Sequence, residues 1–231
     1  PEKINLFTMP INIGIDDQVH TIWMDKKDIT FELPNSKRPK MVVFNQGMRI
    51  PCKVNFNKSI SEWITQLKKA PHILDRIAAI NVLKHKKGRR VVENALIDAV
   101  RKDPFWGVRR EAVYALKSLG AKQYAKEFME LSEGQDNRVR RAIWNLLKNY
   151  KDNNDVSEFL QNVIDTDKKY YSVSDAFRAW GAGNITSTKI LFEGRLLSSE
   201  MWSLNASIVS TFASYLRQEG QEKKNILEIG S

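Results

Sequence analysis

The residues of this chain that could bind a metal or act as a nucleophile are few and scattered. The candidates are three histidines and one cysteine: His20, His72, His85 and Cys52. A zinc hydrolase typically needs two histidines one helical turn apart with a glutamate between them. No histidine here is paired in this way, and none is followed by glutamate. We therefore predict no catalytic residue, no metal ligand and no cofactor in this chain, and we interpret Cys52 as a small buried hydrophobe.

Arginines form the most regular pattern of functional side chains. Arg76, Arg109 and Arg140 follow one another at nearly equal steps along the sequence. In stacked helical repeats such arginines bridge to carboxylates or carbonyls of the adjoining repeat, or they face a ligand, and both interpretations remain open. The neighbouring arginines lack an obvious acidic partner and are the better ligand candidates. The candidate contacts on a concave face are Arg110, Arg138, Arg141, Arg109 and Arg140.

The net charge of +10 is concentrated in the middle of the chain. Residues 57–150 carry 20 basic and 10 acidic side chains, whereas residues 151–231 carry 9 and 11. A directed basic surface is therefore expected, rather than a uniformly basic protein. Its densest part is a predicted turn, the basic loop, formed by Lys86, Lys87, Arg89 and Arg90. This loop is either a solvated turn or a site that neutralises phosphates.

The segment 1–57 predicts a small β-sandwich domain. Ile11, Ile13 and Ile15 alternate with polar residues or glycine, and the same period of two recurs over 29–33 and 50–56. Prolines and turn residues divide the segment into about four to six short antiparallel strands. Because so small a sheet would expose its apolar face, we expect it to dock on helices or on a larger assembly.

From residue 58 to residue 231 the apolar period is helical. Ser59 to Glu62 match a capping box, in which a serine hydroxyl and a glutamate satisfy backbone amides at the helix start. The pattern predicts about five antiparallel helix pairs. The predicted helices lie at 59–69, 72–86, 89–102, 106–119, 121–133, 137–149, 155–166, 170–181, 187–198 and 201–218.

The second helix of each predicted pair repeats one register. The nearly equal steps that relate the arginine positions also relate two apolar positions, and the register continues into a fourth pair. These positions are Ala79, Ala112, Ile143 and Ala176, and then Leu83, Leu116, Leu147 and Trp180. A period in the low thirties built from helix pairs is typical of an α-solenoid. The fold class predicted is therefore mainly α, a HEAT-like α-solenoid preceded by a small antiparallel β-sandwich.

Two stretches together resemble the C-terminal region of aminopeptidase N-like zinc metallopeptidases, the gluzincins. The β segment contains WMD at 23–25 and VVFN at 42–45, and it runs into the helix ISEWITQL and the unit HILDRIAAINVL. The resemblance implies a β-sandwich followed by a HEAT-like helical superhelix. It implies zinc only for a catalytic domain that this sequence lacks, because neither the zinc-binding motif nor the glycine-rich exopeptidase motif is present.

The resemblance implies a non-catalytic portion of a zinc aminopeptidase that acts as scaffold and wall of the substrate cavity. Its partner would be the catalytic domain of the same parent protein, with peptides as further candidates. Two alternatives remain open: a basic HEAT-repeat module that binds nucleic acid, and a protein-binding adaptor. No apolar run approaches the roughly 18 to 20 residues that span a bilayer, so no membrane contact is expected. A soluble chain, cytoplasmic or exported, is expected.

Overall fold

The computed structural model describes residues 8–33, 37–120, 124–195 and 202–218. Within these ranges three β-strands precede ten α-helices. The strands are β1 (Met9–Ile15), β2 (Gln18–Met24) and β3 (Val42–Phe44). The helices are α1 (Ile60–Lys69), α2 (Ile73–Leu83), α3 (Arg90–Lys102), α4 (Trp106–Leu119), α5 (Ala125–Leu131), α6 (Asn137–Leu147), α7 (Asn154–Thr166), α8 (Tyr170–Gly181), α9 (Ile185–Arg195) and α10 (Trp202–Gln218). The predicted fold class, mainly helical with a small antiparallel sheet at the start, is confirmed.

The predicted capping box fixes the start of α1. The Ser59 hydroxyl accepts a hydrogen bond from the Glu62 amide at 3.3 Å, and the Glu62 carboxylate accepts one from the Ser59 amide at 2.7 Å. Hydrogen bonds from the side chain and the backbone of Ser59 hold the pKa of Glu62 below its usual value. Two backbone amides that a helix start leaves without partners are thereby satisfied.

The helix α2 ends earlier than predicted. The Lys86 amide bonds to the Leu83 carbonyl at 2.9 Å, and Gly88 has a φ of +69°. A backbone at positive φ favours glycine because glycine has no Cβ that would clash. The chain therefore leaves the helix at Leu83, and the basic loop is a turn between α2 and α3, as predicted.

The N-terminal region contains one three-stranded antiparallel sheet, in the order β2-β1-β3, within the residues that the structure describes. Ile11 pairs with Ile22, and Ile13 pairs with Phe44. The prediction of a sandwich was therefore wrong in its detail, because residues 29–33 and 50–56 form no strand. Nothing in the structure explains the irregular path of residues 29–33.

The side chain of Asn45 accounts for the missing strand at 50–56. Its amide nitrogen donates to the Ile50 carbonyl at 2.6 Å, and its oxygen accepts from the Ile50 amide at 3.3 Å. Both backbone groups of Ile50 are therefore unavailable for pairing with another strand, and Pro51 offers no amide hydrogen at all. Cys52, predicted to be buried in this strand, is exposed instead.

The sheet docks on the first helices, as expected for so small a sheet. Met41 and Val43 pack with Ala70, the residue that ends α1, in a buried cluster. Beside this cluster the Gly47 amide donates to both carboxylate oxygens of Asp75, at 3.0 Å each. Apolar contact and a buried polar link thus join the sheet to α1 and α2.

The chain divides into two compact units, Pro1–Gly120 and Ala121–Ser231. The N-terminal unit contains the sheet and the pairs α1–α2 and α3–α4, with α2 packed on α4. The C-terminal unit contains the pairs α5–α6, α7–α8 and α9–α10, with α8 packed on both α6 and α10. These are the predicted helix pairs. The predicted division into domains 1–57 and 58–231 stays a prediction.

The predicted repeat positions are buried in both units. Ala79 and Ala112 are 0% exposed, as are Ile143 and Ala176. The second position is filled by Leu83, Leu116 and Leu147, also 0% exposed, and by the half-buried Trp180. Within each unit, these buried positions lie where one second helix packs on the next, as in stacked helical repeats.

Candidate functional site

The first arginine of the series is buried and fully engaged within the N-terminal unit. Arg76 donates from Nε and Nη2 to the two carboxylate oxygens of Asp103, at 2.8 and 3.2 Å. Its Nη1 donates to the carbonyls of Ala70 and Pro71, at 3.0 and 3.1 Å. Arg76 therefore links the turn of its own helix pair to the end of α3, and it is not available to a ligand.

Arg109 and Arg140, both predicted ligand contacts, repeat parts of this arrangement. Arg109 donates to the carbonyls of Asp103 and Pro104, at 2.7 and 3.3 Å, and these carbonyls stand one repeat after the two that Arg76 holds. In the C-terminal unit, Arg140 donates to Asp167 at 2.6 Å. The structure thus uses both guanidinium groups within the repeats, as the structural interpretation of the series expects.

A polar network surrounds the carboxylate of Asp167. It accepts hydrogen bonds from the Lys169 amide at 3.0 Å and from Arg140, and the Trp144 indole donates to Ser172 at 2.9 Å. Burial raises the pKa of Asp167, but hydrogen bonds from Ser172 and the Lys169 amide and the charge of Arg140 outweigh it and hold that pKa below its usual value. This network is structural, because Trp144 and Ser172 are buried.

The expectation that Arg110, Arg138 and Arg141 lack acidic partners was wrong. Arg110 bonds to Glu111 at 2.8 Å, Arg138 bonds to Asp136 at 2.9 Å, and Arg141 bonds to Asp175 at 2.5 Å. Each of these arginines remains about a third to a half exposed, at 36%, 49% and 37% of its side chain. The carboxylates orient the three side chains without removing them from the surface.

Two of these arginines are also stacked on aromatic rings. The guanidinium carbon of Arg110 lies 5.2 Å from the Trp106 ring and 6.0 Å from the Tyr114 ring. The guanidinium carbon of Arg141 lies 5.2 Å from the Tyr171 ring. A cation placed over an aromatic face is attracted by the electron density of the ring. Trp106, Arg110 and Tyr114 lie together because residues four apart in the sequence share one face of a helix.

The aromatic residues of these helices were expected in the core. Trp144 is indeed buried, at 1% exposure, whereas Tyr114 is 42% exposed. Tyr170 and Tyr171, which were not selected from the sequence, are 64% and 56% exposed. Tyr170 begins α8 as Trp106 begins α4, so the two residues stand at the same place in their repeats. The signal that could have found Tyr170 is this repeat position.

We define the second-helix face as the following exposed or half-buried apolar, aromatic and basic side chains of the second helices, taken separately in each unit. In the N-terminal unit it comprises Ile73, Leu74, Trp106, Arg110 and Tyr114. In the C-terminal unit it comprises Arg138, Arg141, Tyr170, Tyr171 and Arg178. Arg178 shares Asp175 with Arg141, at 3.0 Å. Large apolar surfaces flanked by arginine are typical of surfaces that bind other proteins.

The basic loop is exposed along its length. Lys86, Lys87, Arg89 and Arg90 are all exposed, and none forms an ion pair within the described part of the chain. The turn and the first residue of α3 thus offer four cations to solvent or to a phosphate. Its contact with nucleic acid stays a prediction.

Comparison with known proteins decides the family. HEAT repeats match residues 60–146 and, in a second overlapping match, residues 93–179. The chain belongs to the HEAT-repeat family. The HEAT matches extend from α1 to α8 and include the arginine series. No curated protein matches the sequence.

A similar solved structure is the complex of CpcE and CpcF of phycocyanin lyase from Nostoc sp. PCC7120. One of its chains shares 18% identity with this chain at a TM-score of 0.48, over 75% of this chain and 71% of that chain. The assignment to aminopeptidase N-like zinc metallopeptidases was wrong, since the family whose model matches this chain is that of HEAT repeats. The role as a peptidase fragment and cavity wall, with the parent catalytic domain as partner, falls with that assignment. The absence of zinc and of any other cofactor from this chain stays a prediction.

Neither a metal cluster nor a membrane span occurs among the residues that the structure describes. No group of three or more histidine, cysteine, aspartate or glutamate side chains is placed there to hold a metal ion. Of the helices described, none has the length and apolar character needed to cross a bilayer. The predictions of no catalytic residue and no cofactor in this chain stay predictions.

Proposed function

We propose that this HEAT-repeat protein is a protein-binding adaptor that contacts its partner through the second-helix face. The observation that supports the proposal best is the stacking of Arg110 over Trp106 and Tyr114 on the surface of α4. Tryptophan, tyrosine and arginine are the residue types that contribute most binding energy at protein interfaces. Here all three share one helix face, on a helix whose opposite side is fixed in the core.

The way in which the arginines are held favours binding. Glu111 and the two rings restrict the Arg110 side chain, and Asp175 and Tyr171 restrict that of Arg141. A side chain that is already ordered loses less conformational entropy when a partner binds. The exposed ends of both guanidinium groups can then bind a carboxylate without a large entropic cost.

The charge of the face predicts the chemistry of the partner. The arginines of the face come from residues 57–150, which carry 20 basic and 10 acidic side chains, and from α8. A partner surface that presents carboxylates around an apolar centre would satisfy both the arginines and the rings. We therefore infer an acidic, amphipathic protein surface as the partner.

A binding experiment with matched variants tests the proposal. The immobilised protein is incubated with an extract of the cells that produce it, and the retained proteins are identified by mass spectrometry. The variant that combines Trp106→Ala, Arg110→Ala and Tyr114→Ala should lose a specific partner that the wild type retains. Trp23→Ala removes an aromatic side chain that is 59% exposed on the sheet, and it should retain that partner.

Equal retention by the wild type and the triple variant, with both folded by circular dichroism, would exclude the second-helix face as the interface. The converse pattern, loss with Trp23→Ala only, would place the interface on the sheet. Either result rejects the proposal.

The basic loop supports a second candidate function, nucleic-acid binding, through its four exposed cations. Replacing Lys86, Lys87, Arg89 and Arg90 with alanine should then abolish retention on a DNA duplex at low salt, and retention of the wild type should fall steeply as salt rises. An absence of retention at low salt removes this candidate.

A further inference from the structure

A second feature of the N-terminal unit lies apart from the second-helix face. Residues 43–58 pass beside α1 and α2, and between them lies a cavity of about 690 Å³ that is open to solvent on one side. This volume lies within the range of small-molecule sites, about 300 to 1,000 Å³. The cavity is lined mainly by apolar side chains: Met48, Ile50, Val54, Phe56, Trp63 and Val82.

Apolar side chains face open space around this cavity rather than the core. Met48 is 47% exposed, Val54 is 44% exposed and Phe56 is 38% exposed. The segment that carries them forms no strand, because the side chain of Asn45 holds the backbone of Ile50. An apolar molecule in the cavity would remove this surface from water, and that burial is favourable.

One ammonium group lies in this apolar setting. Lys58 Nζ is 2.5 Å from the Gln66 side-chain oxygen, 4.4 Å from the centre of the Trp63 ring and 4.8 Å from the centre of the Phe56 ring. Burial lowers the pKa of Lys58 to about 8, although Glu62 and Asp75 oppose the shift. A desolvated ammonium that donates to a neutral amide oxygen gains strongly from a carboxylate beside it.

The other charged groups around the cavity do not prevent an anion from binding beside Lys58. Asp75 is a lining carboxylate, but both of its oxygens accept the Gly47 amide, and burial raises its pKa. His72 lies close enough to Asp75 to oppose that rise. Lys86 adds a second cation at the lining. The carboxylate of Glu62 acts on Lys58 from α1 and is engaged by Ser59.

We propose that this cavity binds a small amphipathic molecule with an apolar body and one carboxylate, which Lys58 Nζ pairs with. The apolar body lies against Phe56, Trp63 and Val82. The carboxylate replaces part of the water that the ammonium lost on burial. This site is independent of the second-helix face, so the failure of one proposal leaves the other intact.

The test titrates the full chain with three probes of equal length: octanoate, 1-octanol and octylamine. Binding is followed by two-dimensional NMR, which reports whether the shifted amides border the cavity. Octanoate should bind about tenfold or more tightly than 1-octanol, because a charged hydrogen bond contributes on that scale. Equal binding of the two would overturn the role of Lys58, and tighter binding of octylamine would show that Asp75 dominates the site.

Variants and pH separate Lys58 from the remaining cations. Lys58→Met should weaken octanoate about tenfold and leave 1-octanol unchanged, whereas Lys53→Met, outside the cavity lining, should change neither. In the wild type, octanoate should bind more weakly at pH 9.5 than at pH 7, and this dependence should be absent from Lys58→Met. Cys52 also lines the cavity, so an unchanged pH dependence in Lys58→Met would overturn the proposal. The pH measurement on the wild type needs no variant that might fail to fold.

Discussion

Arg76 and Asp103, 27 residues apart in the sequence, are joined by two hydrogen bonds at 2.8 and 3.2 Å. Arg140 and Asp167 are separated by the same 27 residues and are joined at 2.6 Å. Each aspartate directly follows the first helix of its pair and also accepts the amide two residues further on, from Phe105 and Lys169 respectively. An arginine of one helix pair therefore binds the turn of the next pair in both compact units.

Removing Arg76 should destabilise the N-terminal unit severely. The side chains of Arg76 and Asp103 are 10% and 6% exposed, so Arg76→Leu leaves a buried carboxylate without its partner. We expect the free energy of unfolding to fall by about 3 to 5 kcal/mol in urea denaturation. The control is Lys102→Met, which breaks an ion pair to Asp98 whose lysine is 70% exposed, and which should cost less than about 1 kcal/mol. Similar losses in the two variants would contradict the structural role of Arg76.

Acid should weaken the C-terminal unit through Asp167. Its pKa in the folded state lies below the ordinary 3.8, so its stabilising contribution is present above that value and is lost as the pH falls through the folded pKa. The free energy of unfolding should therefore fall more steeply below pH 4 in the wild type than in Asp167→Asn.

Urea denaturation of this unit between pH 7 and pH 2.5 measures how the free energy of unfolding of the wild type and of Asp167→Asn depends on pH. Asp165→Asn removes an exposed carboxylate of α7 and should keep the acid dependence of the wild type. If Asp167→Asn keeps it too, the network around Asp167 does not stabilise the fold.

Ala112→Leu should lower stability, because the side chain at this repeat position is 0% exposed against neighbouring helices. Extra methylene groups in a packed core cost about 1 to 3 kcal/mol. The same substitution at the exposed Ser118 of α4 is the control and should have a small effect. A thermal melt of Ala112→Leu that matches the wild type would count against the repeat register.

The stability of the N-terminal unit should depend on alkaline pH through Lys58. Its folded pKa of about 8 lies below the ordinary 10.5, so between these values the unfolded state binds more protons than the folded state. The wild type should therefore gain stability relative to Lys58→Met as the pH rises from 8 to 10.5.

The quantity to follow is how the difference in free energy of unfolding between the wild type and Lys58→Met changes with pH. Its size at one pH is not informative, because Lys58→Met also leaves the buried Gln66 side chain without the hydrogen bond from Lys58. Denaturation curves of both proteins at pH 7, 9 and 10.5 measure this change. A difference that stays constant over this range would show that burial does not disfavour the charged form of Lys58.

The helices could be predicted from the sequence because their signals are local and repeated. Ala79 and Ala112 lie in apolar stripes with a period of 3.6 residues, and the same stripe recurs in the next helix pair. The partners of Arg110 and Arg141 were not assigned, although Glu111 lies beside Arg110 in α4 and Asp175 lies in the predicted helix α8, because a sequence does not show side-chain rotamers.

The sheet was only partly predictable, because alternation of apolar residues cannot show what occupies the backbone hydrogen bonds. Apolar and polar residues alternate over 50–56 as regularly as in β1, yet the side chain of Asn45 already occupies both backbone hydrogen-bonding groups of Ile50. The family resemblance failed for a related reason. Alternating strands and amphipathic helix pairs occur in many proteins, and only the repeat register was specific, to an α-solenoid.

Asp103 also bears on how the protein opens. Its carboxylate belongs to Arg76 of the first helix pair, while its carbonyl belongs to Arg109 of the second. Separating α1 and α2 from α3 and α4 would leave the buried carboxylate of Asp103 without Arg76. These four helices should therefore unfold cooperatively rather than pair by pair. Amide hydrogens of α2 and α4 should consequently exchange with solvent at a common free energy, and Arg76→Leu should let α2 exchange first.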